Sequence, residues 1–237
     1  MIVSYGRSPT PRSVRLASLV GGGSLHFTGC SEFISALGRS AAGEWTAIPN
    51  FVELAGLPFV PEVANDAPLV FLSRIEQVKG TREAIAIARA SGRRLVIAGN
   101  VPSDAASRAY FEHSVLPHVD GKMIEYVGPV DNAAKARLLG SASALLLPIQ
   151  WDEPFGIVFT EALACGTPVI ACPRGALPEI VEDGRHGFHI ASEIDGAAAV
   201  SRIGEISRGE CRRRVEMAFT GEIVVDQYVS LYRRVLS

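Results

Sequence analysis

The residues best able to do chemistry lie in one short run, Trp151-Asp152-Glu153-Pro154-Phe155-Gly156-Ile157-Val158-Phe159-Thr160-Glu161, which holds two carboxylates, Glu153 and Glu161, with seven residues between them. Pro154 suits the first position of a helix and keeps Glu153 out of the helical region, so the spacing predicts a helix over Phe155 to Cys165 with Glu153 at its mouth. Such a helix offers free backbone N–H groups at Phe155, Gly156 and Ile157 and turns the positive end of its dipole outward, which is a phosphate site. Glu161 falls about two turns further along, on a side close to that of Glu153, where a carboxylate can accept hydrogen bonds from a ribose diol. The bland alternative makes Glu153 a cap and Glu161 a surface residue; Glu is a poor N-cap, and Asp152 stands beside it.

A second run, Ser73-Arg74-Ile75-Glu76-Gln77-Val78-Lys79-Gly80, places two cations, Arg74 and Lys79, after an apolar segment. Arg supplies a planar fork and Lys a compact charge, and together they could neutralise a diphosphate. Alone, such a pair is more often solvated loop; beside the Glu153 helix mouth it becomes half of an anion site. A third run, Cys165-Gly166-Thr167-Pro168 followed by Arg174-Gly175-Ala176-Leu177-Pro178-Glu179, is mostly fold punctuation, but Gly175 would let backbone approach a ligand closely.

These loops need a frame, and the sequence supplies one. From residue 67, apolar runs at Ala67 to Ser73, Arg94 to Gly99, Met123 to Gly128, Ala144 to Ile149, Pro168 to Cys172 and Gly187 to Ile190 alternate with helical stretches. Those stretches are Thr81 to Ser91, Ser103 to Val119, Asn132 to Gly140, Phe155 to Cys165 and Ala176 to Glu182, then Gly196 to Ile206, Arg208 to Phe219 and Ile223 to Leu236. Strands apolar on both sides and joined by helices predict an α/β fold, a doubly wound, Rossmann-like parallel sheet whose ligand site lies at the strands' carboxyl ends. Before it, a strand at Leu25 to Gly29, a helix at Glu32 to Leu37 and a strand at Thr46 to Pro49 are expected, then a proline-rich linker over Gly56 to Pro68.

Composition narrows the function classes. The 237 residues are 48% hydrophobic and 20% charged, with Lys+Arg 23 against Asp+Glu 25, so no bulk charge favours nucleic acid. Cys30, Cys165, Cys172 and Cys211 lack metal or disulfide spacing, and the histidine pairs His113/His118 and His186/His189 do not form a metal-ligand pattern. No membrane span or signal peptide is recognisable, which predicts a cytoplasmic protein, with peripheral attachment at the inner membrane face as the alternative. Arg212, Arg213 and Arg214 read as a solvated helix face.

In order and spacing, Arg74 with Lys79-Gly80, the E-x7-E pair around Phe155-Gly156, and the Cys165 to Pro168 and Gly175 to Glu179 turns resemble the retaining nucleotide-sugar glycosyltransferases of family 4, which have the two-domain GT-B fold. The resemblance is close over Phe71 to Ile190. It implies that Arg74 and Lys79 grip the diphosphate of a donor, that Glu153 and the backbone of Phe155 and Gly156 contact its sugar, and that Glu161 binds the ribose. It also places the base beside Val127 and Gly128, and the donor's sugar near Gly175. The leaving diphosphate would be stabilised by Arg74, Lys79 and the helix dipole, with no metal and no cofactor beyond the donor substrate. UDP is the first candidate nucleotide, with GDP and ADP as alternatives.

Two departures stand out. The family's Gly-Gly-x-Pro-Glu turn reads Gly175-Ala176-Leu177-Pro178-Glu179, and too few residues precede the donor domain to make a full first domain. The resemblance therefore divides the chain into 1–65, a remnant of the acceptor domain with linker; 66–219, the donor-binding domain; and 220–237, a helix crossing back. The expected chain is a fragment, a short natural form or half of a split enzyme. Its partners would be a nucleotide sugar, a carbohydrate or lipid acceptor, and either a second copy as a homodimer or a chain supplying the first domain. A sugar transferase, a donor-binding module and a GT-B relative with epimerase or phosphorylase chemistry are the three readings, the E-x7-E pair favouring the transferase.

Overall fold

A computed structural model describes residues Met1 to Leu236. Strands Ile2–Tyr5 (β1), His26–Gly29 (β2) and Glu44–Ala47 (β3) pair in that order as a parallel sheet, linked by helices Pro11–Gly21 (α1) and Glu32–Arg39 (α2). The sequence pattern anticipates only β2, α2 and β3. Helix α1, which that pattern leaves out, buries Val14 alone and exposes Leu16, Leu19 and Val20. The stacked rings of Phe27 and Trp45, with centroids 4.8 Å apart, form the centre of this small lobe's core.

The second sheet takes strands Leu69–Leu72 (β4), Leu95–Ala98 (β5), Ile124–Gly128 (β6), Ala144–Leu147 (β7), Val169–Ala171 (β8) and Gly187–His189 (β9). All pairs are parallel, in the order β6-β5-β4-β7-β8-β9, the doubly wound arrangement expected from the apolar runs. Helices Thr81–Ser91 (α3), Ala105–Tyr110 (α4), Asn132–Ser141 (α5), Ile157–Ala164 (α6), Leu177–Ile180 (α7), Glu193–Arg202 (α8) and Arg208–Ala218 (α9) connect and cover it. Coverage of both faces is visible in β4 and β7, where every residue is buried. The long helix expected over Ser103 to Val119 is instead α4, a π-helical turn over Phe111–Val115 and a 3-10 turn over Leu116–His118. Pro117, which lacks an N–H, favours that irregular exit.

Helix α9 departs from the solvated face read from its arginines. Arg212 Nη1 donates to the carbonyls of Leu57 (3.0 Å) and Ala164 (2.9 Å), and Arg214 donates to those of Ile180 (3.2 Å) and Glu179 (2.5 Å). Two of the three arginines are thus anchors that tie α9 to Leu57 and to the backbones of α6 and α7. The final helix, Gly221–Leu236 (α10), returns to the small lobe, where Val224 and Leu231 pack with Ile48 and Ile2. Among the described residues no helix is long and apolar enough to cross a membrane.

Candidate functional site

The order of the large sheet reverses between β4 and β7, and the loops leaving those two strands open onto the resulting crevice. They are held together by backbone: Gln150 N donates to Val78 O at 2.8 Å. Gly80, at φ +80°, lies so close to the second loop that a Cβ there would stand 2.0 Å from the carbonyl oxygen of Pro148. Only glycine fits at that position.

This contact brings the two sequence-derived signals onto one another. Lys79 Nζ lies 2.7 Å from Glu153 Oε2, and the indole N–H of Trp151 donates to the same oxygen at 3.0 Å. The ammonium also sits 4.5 Å from the centre of the Trp151 ring, a cation–π contact. Lys79 is only 8% exposed, which a lysine tolerates when its charge is paired. Glu153 Oε1 carries no protein partner among the described residues and remains available to a hydroxyl.

The remaining sequence-derived residues are distributed around this pair. Arg74 is over half exposed and pairs with Glu76 at 3.0 Å, so in this state its fork is turned toward Glu76. Glu161, mostly buried on α6, pairs with Lys135 of α5. Val127 and Gly128 end β6; Val127 is exposed, and open space lies where a Gly128 side chain would be. Gly175 holds φ +60° against the backbone of Glu153, and Ala176 N donates to Glu153 O at 2.9 Å.

The helix begins two residues later than the expected Phe155. Gly156 takes φ +85°, which a right-handed helix cannot include, so it is the N-cap of α6 and Ile157 is the first helical residue. Helical N–H groups are therefore offered by Ile157 and Val158, whereas Phe155 and Gly156 belong to the preceding turn, with the Phe155 ring buried edge-on to Phe219 at 5.8 Å. Trp151, Lys135 and Glu76 were not assigned roles from sequence. The scarcity of lysine was a usable signal for Lys135, one of three in the chain.

Among the described residues no cluster of three His, Cys, Asp or Glu side chains comes together as a metal-ligand set. The cysteines are free. Burial pushes the Cys30 and Cys165 thiols up to about 11 and that of Cys211 to about 12, while Cys172 is raised by burial but only half-buried. Iodoacetamide at pH 8 is therefore expected to label at most one site on the native protein, Cys172, as read by mass spectrometry. A separate cavity at the opposite end of the strands is lined by Phe59, Arg93, Ser143 and Arg208. Each terminal nitrogen of Arg208, and its Nε, is already committed to backbone carbonyls or Thr167, so that guanidinium is a structural anchor.

Comparison with known proteins follows the same outline. A family model described as glycosyl transferases group 1 matches residues 59–220. The glycogen synthase of Mycobacterium tuberculosis (strain ATCC 25618 / H37Rv) is 33% identical over 181 residues, 73% of this chain and 42% of that relative. The chain thus spans less than half the length of that curated relative. Among solved structures, AviGT4, a glycosyltransferase involved in avilamycin A biosynthesis, superposes with a TM-score of 0.73 at 28% identity, covering 89% of this chain and 63% of its own. The Anabaena protein HepE in complex with UDP-glucose gives a TM-score of 0.80 at 17% identity, over 98% of this chain and 72% of its own, a likeness of fold.

Proposed function

The chain belongs to the glycosyl transferases of group 1, and on that premise we propose that the Lys79–Glu153 crevice binds a nucleotide-diphosphate sugar and serves its transfer to an acceptor with retention of anomeric configuration. The observation that carries this reading is the meeting of Lys79, Glu153 and the α6 N-terminus at the reversal of strand order, where open α/β sheets place their ligands.

Each group has a task in that reaction. When the bond between the sugar's anomeric carbon and the phosphate oxygen breaks, negative charge collects on the departing nucleoside diphosphate. Lys79, Arg74 and the N–H groups of Ile157 and Val158 stabilise it. An acceptor hydroxyl on the same face forms the new bond to that carbon, and its proton passes to the departing phosphate. Glu153 holds sugar hydroxyls through its free oxygen, with Lys79 and Trp151 fixing the other. Glu161 receives the ribose diol, Val127 and Gly128 flank the base, and Gly175 permits close approach of backbone to the sugar.

Calorimetric titration with UDP, GDP and ADP tests the reading. One nucleotide is expected to bind, and Arg74→Ala and Glu161→Ala are each expected to weaken it about tenfold, the effect of one hydrogen bond to a charged group. Failure of all three nucleotides to bind would remove the proposal. A second reading, a donor-binding half that turns over only with a further polypeptide, draws on the 42% of the glycogen synthase relative that the chain spans. Release of nucleotide from a donor by the purified chain, dependent on an added acceptor, would reject it.

A further inference from the structure

The donor crevice is formed by the large sheet, yet one of its walls is held in place by the small lobe. Helix α2 begins at Glu32, leaving three first-turn N–H groups without helical partners. The Glu179 carboxylate, from α7, accepts two of them: Glu32 N at 2.7 Å on Oε2 and Phe33 N at 2.7 Å on Oε1. The third, Ile34 N, donates to Ser31 Oγ at 3.2 Å. The Ser31 hydroxyl in turn donates to the carbonyl oxygen of Pro154 at 2.7 Å, and the Cys30 thiol donates to the same oxygen at 3.4 Å.

Pro154 follows Glu153 directly, and both carbonyls of that dipeptide are occupied. Ala176 N takes Glu153 O, and Ser31 takes Pro154 O. The turn is gripped from the large lobe on one side and from the small lobe on the other. Ser31 is 3% exposed, so while the lobes are joined its hydroxyl has no water to bond in place of Pro154. The helix dipole adds to the hold, since the Glu179 carboxylate faces the positive end of α2. Arg214 secures the other side of Glu179 through its backbone carbonyl, at 2.5 Å.

We infer that Ser31 and Glu179 are positioning residues for the donor site: by seating α2 on the Glu153–Pro154 turn they fix where the Glu153 carboxylate stands, so that the small lobe and the donor loop move as one unit. This inference rests on the proposed donor-binding function. Neither residue touches the donor; each acts through backbone, Ser31 on Pro154 and Glu179 on α2.

The test uses the full chain in a Trp45→Phe background, which leaves Trp151 as its single tryptophan. Trp151 donates to Glu153, so its emission reports the placement of that carboxylate. Ser31→Ala and Glu179→Ala are expected to shift Trp151 emission to the red while the protein stays folded by circular dichroism. Both are expected to weaken binding of UDP-glucose about tenfold, the equivalent of one hydrogen bond from Glu153 to the sugar, and to weaken UDP, which lacks that sugar, by less. Glu179→Gln, which keeps one acceptor oxygen, is expected to fall between wild type and Glu179→Ala. Folded variants with unchanged Trp151 emission would overturn the inference. If the parent protein binds no UDP, the donor reading fails by itself, and the emission shift still decides whether Ser31 and Glu179 place Glu153.

Discussion

Lys79→Met is expected to weaken UDP binding by about 100-fold, because it removes the charge-assisted hydrogen bond proposed for the diphosphate and leaves the Glu153 carboxylate facing the incoming anion. The same substitution strands a carboxylate whose side chain is only 15% exposed. Breaking a buried pair from one side costs about 3 kcal/mol, or roughly 6–12 °C in Tm for a chain of this size. The two effects can be separated. Adding Glu153→Gln to Lys79→Met is expected to recover most of the lost Tm, since the stranded charge disappears, while UDP binding stays weak. Thermal melts and calorimetry on the two variants measure both quantities. Recovery of nucleotide affinity along with Tm would mean that Lys79 serves only to neutralise Glu153.

Gly175→Ala is expected to have the next largest effect. A left-handed backbone costs an alanine about 1–2 kcal/mol, and Gly175 stands at φ +60°. Its new Cβ would also lie 2.3 Å from Glu153 O and 2.5 Å from Glu153 N, atoms of backbone that cannot rotate away. Overpacking of this kind adds about 1–3 kcal/mol. The summed cost of about 3 kcal/mol predicts a fall of roughly 6–12 °C in Tm and loss of UDP binding, since relief requires the Glu153 turn to shift. Gly156→Ala makes the useful comparison. There the nearest atoms are the ring of Phe159 and Cγ of Glu153, side-chain atoms that can move, so a smaller loss is expected.

The difference between these two glycines reflects what a sequence can express. The doubly wound sheet was legible because both its faces are covered: β4 and β7 are buried throughout and appear as unbroken apolar runs. Lys79 and Glu153 were legible as chemistry, since rare or paired charged groups at strand ends stand out. Their direct pairing was not, because it depends on the close passage of Gly80 by Pro148, a contact between backbones 68 positions apart. Gly156 as N-cap was hidden by Pro154, which offered an equally good helix start one turn too early. Arg212 and Arg214 looked solvated because their partners are carbonyl oxygens, and every residue has one. The hold of Ser31 on the Glu153–Pro154 turn and of Glu179 on α2 was hidden for the same reason: the groups they bind, Pro154 O and the first N–H groups of α2, are backbone.

Where the nucleotide sits is measured directly by a crystal structure of the chain soaked with UDP. The diphosphate is expected within hydrogen-bonding distance of Lys79 Nζ and the N–H groups of Ile157 and Val158, with the ribose on Glu161. A diphosphate in the cavity lined by Phe59, Arg93 and Arg208, at the opposite end of the strands, would contradict it.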